Sequence, residues 1–164
     1  MTIRIVDRFG TPQSWEWVQA EYGQVQIDPI TGDGYKVVQL TEEEGHLKFT
    51  LTLLNEAGGP VAGHPVAYVW PDGEDCLTTQ GNGVAEHTHG GGEGYWPPEE
   101  TGVIHWEVRG GVNAEVPRNF GWKKGTQYRK LQVTMQWISS ATPPPADDNW
   151  QNLFEKLDTI IGKL

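Results

Sequence analysis

Over most of this chain hydrophobic residues fall at every second position, the signature of strands with one face buried. Leu47, Phe49, Leu51 and Leu53 alternate with Lys48, Thr50 and Thr52. Ile104, Trp106 and Val108 alternate with His105 and Glu107, and Leu131, Val133, Met135 and Trp137 alternate with Gln132, Thr134 and Gln136. Shorter strands are predicted over residues 2–6, 35–40, 66–70 and 84–89. Turn chemistry separates them: Gly58-Gly59-Pro60, Pro71-Asp72-Gly73 and Gly81-Asn82-Gly83, the last of a kind that closes hairpins. Glu42-Glu43-Glu44 and Glu99-Glu100 read as solvated turns.

The period changes twice. Near the start, Thr11 as N-cap, Pro12 at the first helical position and Gly23 as terminator predict a short helix. Trp15, Val18 and Tyr22 then share one face, while Trp17 falls about 200° from Trp15 and is expected to point away. At the other end, residues 139–149 (SSATPPPADDN) form a proline-stiffened linker. Beyond it Trp150, Leu153, Phe154, Leu157, Ile160, Ile161 and Leu164 make an apolar stripe near a 3.5-residue repeat. A helix of that length is marginal alone in water, so its stripe needs a cover. Self-association into a homo-oligomer is the expectation; docking on the sandwich and binding another protein are the alternatives.

The predicted fold class is therefore all-β, an antiparallel β-sandwich with one short N-terminal helix and a C-terminal amphipathic helix. The domain organisation is a sandwich over 1–138, a linker over 139–149 and a helix over 150–164. A chain of 164 residues with 21 Gly and 11 Pro suits one turn-rich domain with an appendage. Its formal charge of −10, from 12 basic and 22 acidic residues, repels phosphate backbones and argues against a nucleic-acid partner. No apolar run reaches the ~18 residues of a membrane span. The first residues lack the apolar core of a signal peptide, so either export does not use that route or the chain is a segment of a longer one.

Motifs for catalysis are thin. His87-Thr88-His89 puts two imidazoles on one side of a strand, with Glu86, Glu93, Asp72, Glu74 and Asp75 as acidic company. A metal site needs a third ligand that no second motif supplies, so a half-buried strand face is the plainer reading and no cofactor is expected. Ser14, Ser139 and Ser140 lack the context of a nucleophile elbow. Cys76, the single cysteine, excludes an internal disulfide and sits beside Asp75, whose charge makes its thiol less reactive. The run Gly90–Gly94 is followed by no Lys and forms no phosphate loop.

Eight Trp residues are the unusual statistic. Trp and Tyr rings stack on the C–H faces of pyranoses while neighbouring polar groups bind the hydroxyls. Trp17, Tyr95, Trp96 beside Pro97-Pro98, and Trp122 are the candidates for such a glycan site. Trp70, Trp106 and Trp137 fall in strand registers that place them in the core.

Gly58-Gly59-Pro60-Val61-Ala62-Gly63-His64-Pro65-Val66 resembles the turn and second strand of bacterial Ig-like and carboxypeptidase-regulatory-like (prealbumin-type) sandwiches. Thr78-Thr79-Gln80-Gly81-Asn82-Gly83-Val84-Ala85 looks like their next signature. The likeness covers residues 45–110. It implies a non-catalytic module of surface proteins, hydrolases or phage particles, used as spacer, adhesin unit or carbohydrate-binding platform. The expectation is thus a non-enzymatic accessory module that binds carbohydrate, located outside the cell, on its surface or in a phage particle. The alternative is a structural spacer or assembly module multimerised by its C-terminal helix.

Overall fold

The computed structural model describes residues 2–23, 25–45, 48–88, 104–120, 123 and 129–140. Ten strands and one helix are set out along them: β1 (Arg4–Val6), α1 (Trp15–Tyr22), β2 (Gln26–Asp28), β3 (Gly34–Glu44), β4 (Lys48–Leu54), β5 (Pro65–Trp70), β6 (Gly73–Thr78), β7 (Val84–Thr88), β8 (His105–Val108), β9 (Val116–Arg118) and β10 (Arg129–Ile138). They form two five-stranded sheets, ordered β1-β3-β10-β4-β7 and β2-β9-β8-β5-β6. Among the described residues no helix is long and apolar enough to cross a membrane.

The alternation read from the sequence is what closes the two sheets on one another. Phe49, Leu51 and Leu53 from β4, Leu131, Val133 and Met135 from β10, and Val37 and Leu40 from β3 point inward and are buried. Val66 and Tyr68 from β5, with Ile104 and Trp106 at β8, face them from the second sheet and join the same core. Each such side chain contributes about 1.5–3 kcal/mol by leaving water. Trp106 is fully buried, whereas Trp70 and Trp137 are half-buried at the margin of the core.

The sandwich is antiparallel only in the main. β1 pairs parallel with β3, and β10 pairs parallel with β4, Val133 opposite Leu51. Neither pair is joined by a hairpin, so no turn dictates the antiparallel sense. A bulge at Val38, opposite the step from Thr134 to Met135, keeps the inward residues of β3 and β10 in register. Three further expectations are corrected. The helix starts later than Thr11-Pro12: Ser14 is its N-cap, accepting from the Trp17 N–H, because Pro12 is bridged to Val6 in extended backbone. Gly23 does terminate it, at φ 83°. Glu42, Glu43 and Glu44 lie in β3, not in a turn, and Glu42 is buried. Gly81-Asn82-Gly83 closes no hairpin; it carries the chain from β6 in one sheet to β7 in the other.

The two turns singled out in the sequence meet at one corner. The Thr79 hydroxyl donates to the Val61 carbonyl at 2.6 Å and accepts the His64 N–H, while Gly63 N–H donates to the Thr79 carbonyl. Leu53 N–H donates to the Gly83 carbonyl at 2.9 Å. Gly83 has φ +77°, and a Cβ there would lie 2.6 Å from the Leu53 carbonyl oxygen. Gly63, at φ +73°, has nothing within 4 Å of such a Cβ. Gly63→Ala is expected to cost only the left-handed backbone penalty, about 1 kcal/mol. Gly83→Ala meets backbone as well and is expected to cost at least twice as much, read as a difference in denaturation midpoint; equal losses would contradict the clash.

Candidate functional site

Strand direction decides what gathers where. β3 and β7 in one sheet, and β5 and β9 in the other, all finish toward the same end, while β4, β10, β6 and β8 begin there. The sheets share this sense: Tyr68 on β5 stacks on Phe49 (centroids 5.2 Å apart) and on His87 (4.3 Å apart). We call this the distal end. Thr88, Ile104, Phe120, Lys123 and Arg129 lie there, and they flank the stretches that carry His89, Tyr95, Trp96 and Trp122. Those four residues are themselves outside the described residues.

His87 does reach an acidic partner, though across the sandwich rather than along its strand. Its Nδ1 lies 2.9 Å from Asp75 Oδ2 on β6, a spacing at which Nδ1–H donates to the carboxylate. β6 and β7 are edge strands of opposite sheets, so this contact fastens the open side of the sandwich. Trp70 leans on both rings, 5.4 Å from His87 and 6.3 Å from Tyr68. Gly73 packs against the Trp70 indole, where a Cβ would sit 3.3 Å from the ring. Burial holds the Tyr68 phenol well above its ordinary pKa. Among the described residues no group of three His, Cys, Asp or Glu is placed to hold a metal.

A second polar group anchors the helix. Glu42 points inward near the end of β3 and accepts the buried Tyr22 hydroxyl at 2.9 Å and the Arg8 N–H at 3.2 Å. Lys123 pairs with Glu21 and lies 3.9 Å from Glu42. Burial, and then the Glu42 carboxylate, raise the Tyr22 pKa far above its usual value. Trp17 does not stand free as expected. It is half-buried, packed on the core and edge-on to Tyr22 at 5.9 Å. α1 lies against the sandwich with more than one side covered, so a helical wheel drawn for a single buried face misplaces it.

On the outer face of the second sheet, charges alternate with the core residues. Arg109 donates to Glu74 and to Glu107, and Glu107 also accepts from His105 at 2.9 Å. Arg118 pairs with Asp28. Hydrogen bonds from Arg109 lower the Glu74 pKa. At Glu107 burial pushes up, but the bonds from His105 and Arg109 outweigh it and the net shift is downward. Hydrogen bonds from Arg118 and then Gln26 likewise lower the Asp28 pKa. Cys76 is exposed and lies 3.6 Å from the Arg109 guanidinium.

Two shallow depressions, of about 330 and 310 Å³, lie either side of Ile3 along the β1 edge. Trp15, Gln13, Ser14 and Thr2 line the first; Lys36 and Glu115 are the charged residues of the second. Both are at the lower limit of ligand-pocket size.

One residue that sequence reasoning passed over stands out at the distal end. Phe9 is 77% exposed, the large hydrophobic residue most open to solvent among those described. Asp7 holds its loop, accepting the N–H groups of Phe9 and Thr11 at 2.9 Å each and the Gln13 amide at 2.9 Å. The Arg8 guanidinium lies 4.5 Å over the Phe9 ring and pairs with Glu44. The sequence signal was there, an Asp-Arg-Phe-Gly turn after a strand, but an aromatic census led by Trp obscures a single Phe.

Comparison with known proteins adds nothing to this geometry: no family model, no curated protein and no solved structure matches the chain.

The charged ladder yields a titration test. With folded-state pKa values depressed, Glu74 and Glu107 favour the folded chain above the ordinary Glu value of about 4.3, and that contribution is lost as pH falls through their folded values. Arg109→Met should raise the Glu74 pKa toward the ordinary value and shrink the loss of stability in acid, followed by carboxyl NMR. An unmoved Glu74 titration would show that Arg109 is not its partner in solution.

Proposed function

We propose that the protein is a non-catalytic β-sandwich module of the Ig-like or prealbumin type that binds carbohydrate, such as a cell-surface glycan, through aromatic side chains at its distal end. The observation that supports this most is topological: the flanks of the stretches bearing Tyr95, Trp96 and Trp122 meet at the end that also holds Trp70, His87 and Asp75. Loops gathered at one end of a rigid sandwich are the usual place for a binding surface. Trp17 drops out of the ligand set because it packs on Tyr22. Wild-type protein should bind glycans on a broad array, and Trp96→Ala and Trp122→Ala should weaken that binding at unchanged melting temperature. Trp17→Ala should instead lower the melting temperature. An array with no bound glycan ends the carbohydrate reading.

A second reading, a spacer or assembly module multimerised by its tail, rests on the apolar stripe in the sequence of the last 15 residues. Ser140 is held at the opposite, proximal end, its N–H and hydroxyl both donating to Asp33 Oδ1 at 2.5 Å. The residues proposed for oligomerisation, Trp150, Leu153, Phe154, Leu157, Ile160, Ile161 and Leu164, follow that point and lie outside the described residues. The two readings are compatible within a surface or phage-type structure. Light scattering should give an oligomer that becomes monomeric when residues 146–164 are deleted; a monomeric intact chain would contradict the assembly reading.

A further inference from the structure

We propose that Asn82 is a site of spontaneous covalent modification gated by the fold. From states in which the crossing between β6 and β7 has opened, it converts to aspartate and isoaspartate with loss of ammonia; the closed corner keeps it intact. The site is independent of what the distal end binds. Of the six asparagines in the chain, Asn82 alone is followed by glycine. The attacking nitrogen belongs to that next residue, and a glycine there puts no Cβ in the way of ring closure. Asn82 itself is exposed at the turn, so water and base reach its side chain.

The chemistry needs no partner beyond water. Solvent base takes the proton from the Gly83 nitrogen, which then bonds to Asn82 Cγ. The bond from Cγ to Nδ2 breaks, and Nδ2 takes a proton from water and leaves as ammonia. A five-membered imide remains, joining the side chain of residue 82 to the main chain. Water opens it at one of two carbonyl carbons. Breaking the new bond from nitrogen to Cγ gives aspartate. Breaking the original peptide bond gives isoaspartate, whose main chain runs through the side chain and is one carbon longer.

The closed corner opposes the first steps. The Gly83 N–H donates to the Gln80 carbonyl at 2.8 Å, which holds the proton that must leave. Asn82 Oδ1 accepts the Val84 N–H at 3.1 Å and ties the side chain over the turn. The Gly83 carbonyl accepts the Leu53 N–H at 2.9 Å, so the peptide planes on both sides of the buried Gly83 are fixed. Ring closure requires the peptide between residues 82 and 83 to turn out of this arrangement. Thr79, bonded to Val61 and His64, closes the same corner from the β6 side. A reaction confined to opened states runs at its intrinsic rate multiplied by the open fraction.

The two products act differently on the corner. An aspartate at position 82 keeps an oxygen that accepts the Val84 N–H. Isoaspartate lengthens the main chain beside Gly83, where there is no room: a Cβ on Gly83 would already lie 2.6 Å from the Leu53 carbonyl oxygen and 3.1 Å from Pro60 Cβ. Isoaspartate formation therefore leaves the crossing unable to close as before.

The test incubates the full chain in mildly alkaline buffer, folded in one arm and in guanidinium chloride in the other. Mass spectrometry follows the peptide carrying residue 82, which gains one mass unit on conversion. The Asp33-Gly34 and Asp72-Gly73 pairs rearrange without that gain and do not interfere. Conversion should be at least about tenfold slower in the folded arm. Thr79→Val removes both hydroxyl bonds at the corner and should speed conversion of the folded chain; in the wild type, sub-denaturing guanidinium should do the same. Asn82→Asp should melt with the wild type, and the purified isoaspartate form should melt lower. Equal rates in the two arms, or no conversion of the unfolded chain, would overturn the inference. So would an isoaspartate form as stable as Asn82→Asp, or a folded rate that neither Thr79→Val nor guanidinium raises.

Discussion

The contact on which the rest of the molecule depends is the stack of Phe49, Tyr68 and His87 across the space between the sheets. Two sheets whose inner faces carried only aliphatic residues could slide over each other at modest cost, since dispersion and burial have little direction. Flat rings from β4, β5 and β7, with Trp106 edge-on to Tyr68 at 5.0 Å, admit far fewer arrangements. Once they interdigitate, β5 and β7 must finish at the same end. The flanks of the aromatic-bearing stretches are then brought together as a consequence of core packing, without any contact among the loops being required.

Buried polar groups refine what the rings fix. The inward Glu42 would be expensive if left alone, and it is met by the Tyr22 hydroxyl, the Arg8 N–H and Lys123 nearby. Those partners come from α1, from the loop after β1 and from the stretch before β10, so a single carboxylate ties three separate parts of the chain to the end of β3. Gln132 plays a similar part between strands. Its oxygen accepts the Thr50 N–H and its nitrogen donates to Glu43, where β4 has not yet joined the parallel ladder with β10. Lys130, beside it, is buried and donates to the Gly45 carbonyl at 2.6 Å; burial lowers its pKa.

The sequence was most legible where local chemistry and tertiary packing agree. Period-2 alternation located β4, β8 and β10, because their inward residues are apolar and their outward residues polar without exception in the central turns of each strand. Gly23 could be read as a terminator because only a glycine tolerates φ 83° cheaply. The turns at 58–63 and 79–83 were recognisable as turns, but whether a turn joins neighbours in one sheet or crosses to another is a property of the whole core, and the hairpin reading of Gly81-Asn82-Gly83 failed on that account. β2 and β9, of three residues each, carry too little pattern to be seen. Glu42 was read as solvated because an isolated carboxylate belongs in water; its partners are 20 and 34 residues away. Asp75 was noted as acidic company for His87, yet its reach across the sheets depends on both strands being edges.

The candidate site was less legible than the fold for a related reason. A core residue announces itself by repetition, whereas the setting of a surface residue depends on the whole fold. Trp17 and Phe9 show both sides of this. Trp17 looked available on a helical wheel and is packed; Phe9 looked unremarkable and is held out in solvent by Asp7 and Arg8. Exposure of a large ring has no stabilising return from burial, and the loop spends an aspartate and an arginine in keeping that ring in place. The proximal end has the opposite character: its turns interlock through Thr79, and Ser140 is bonded to Asp33. A closed corner at one end and an exposed aromatic at the other make the two ends of the sandwich unlike.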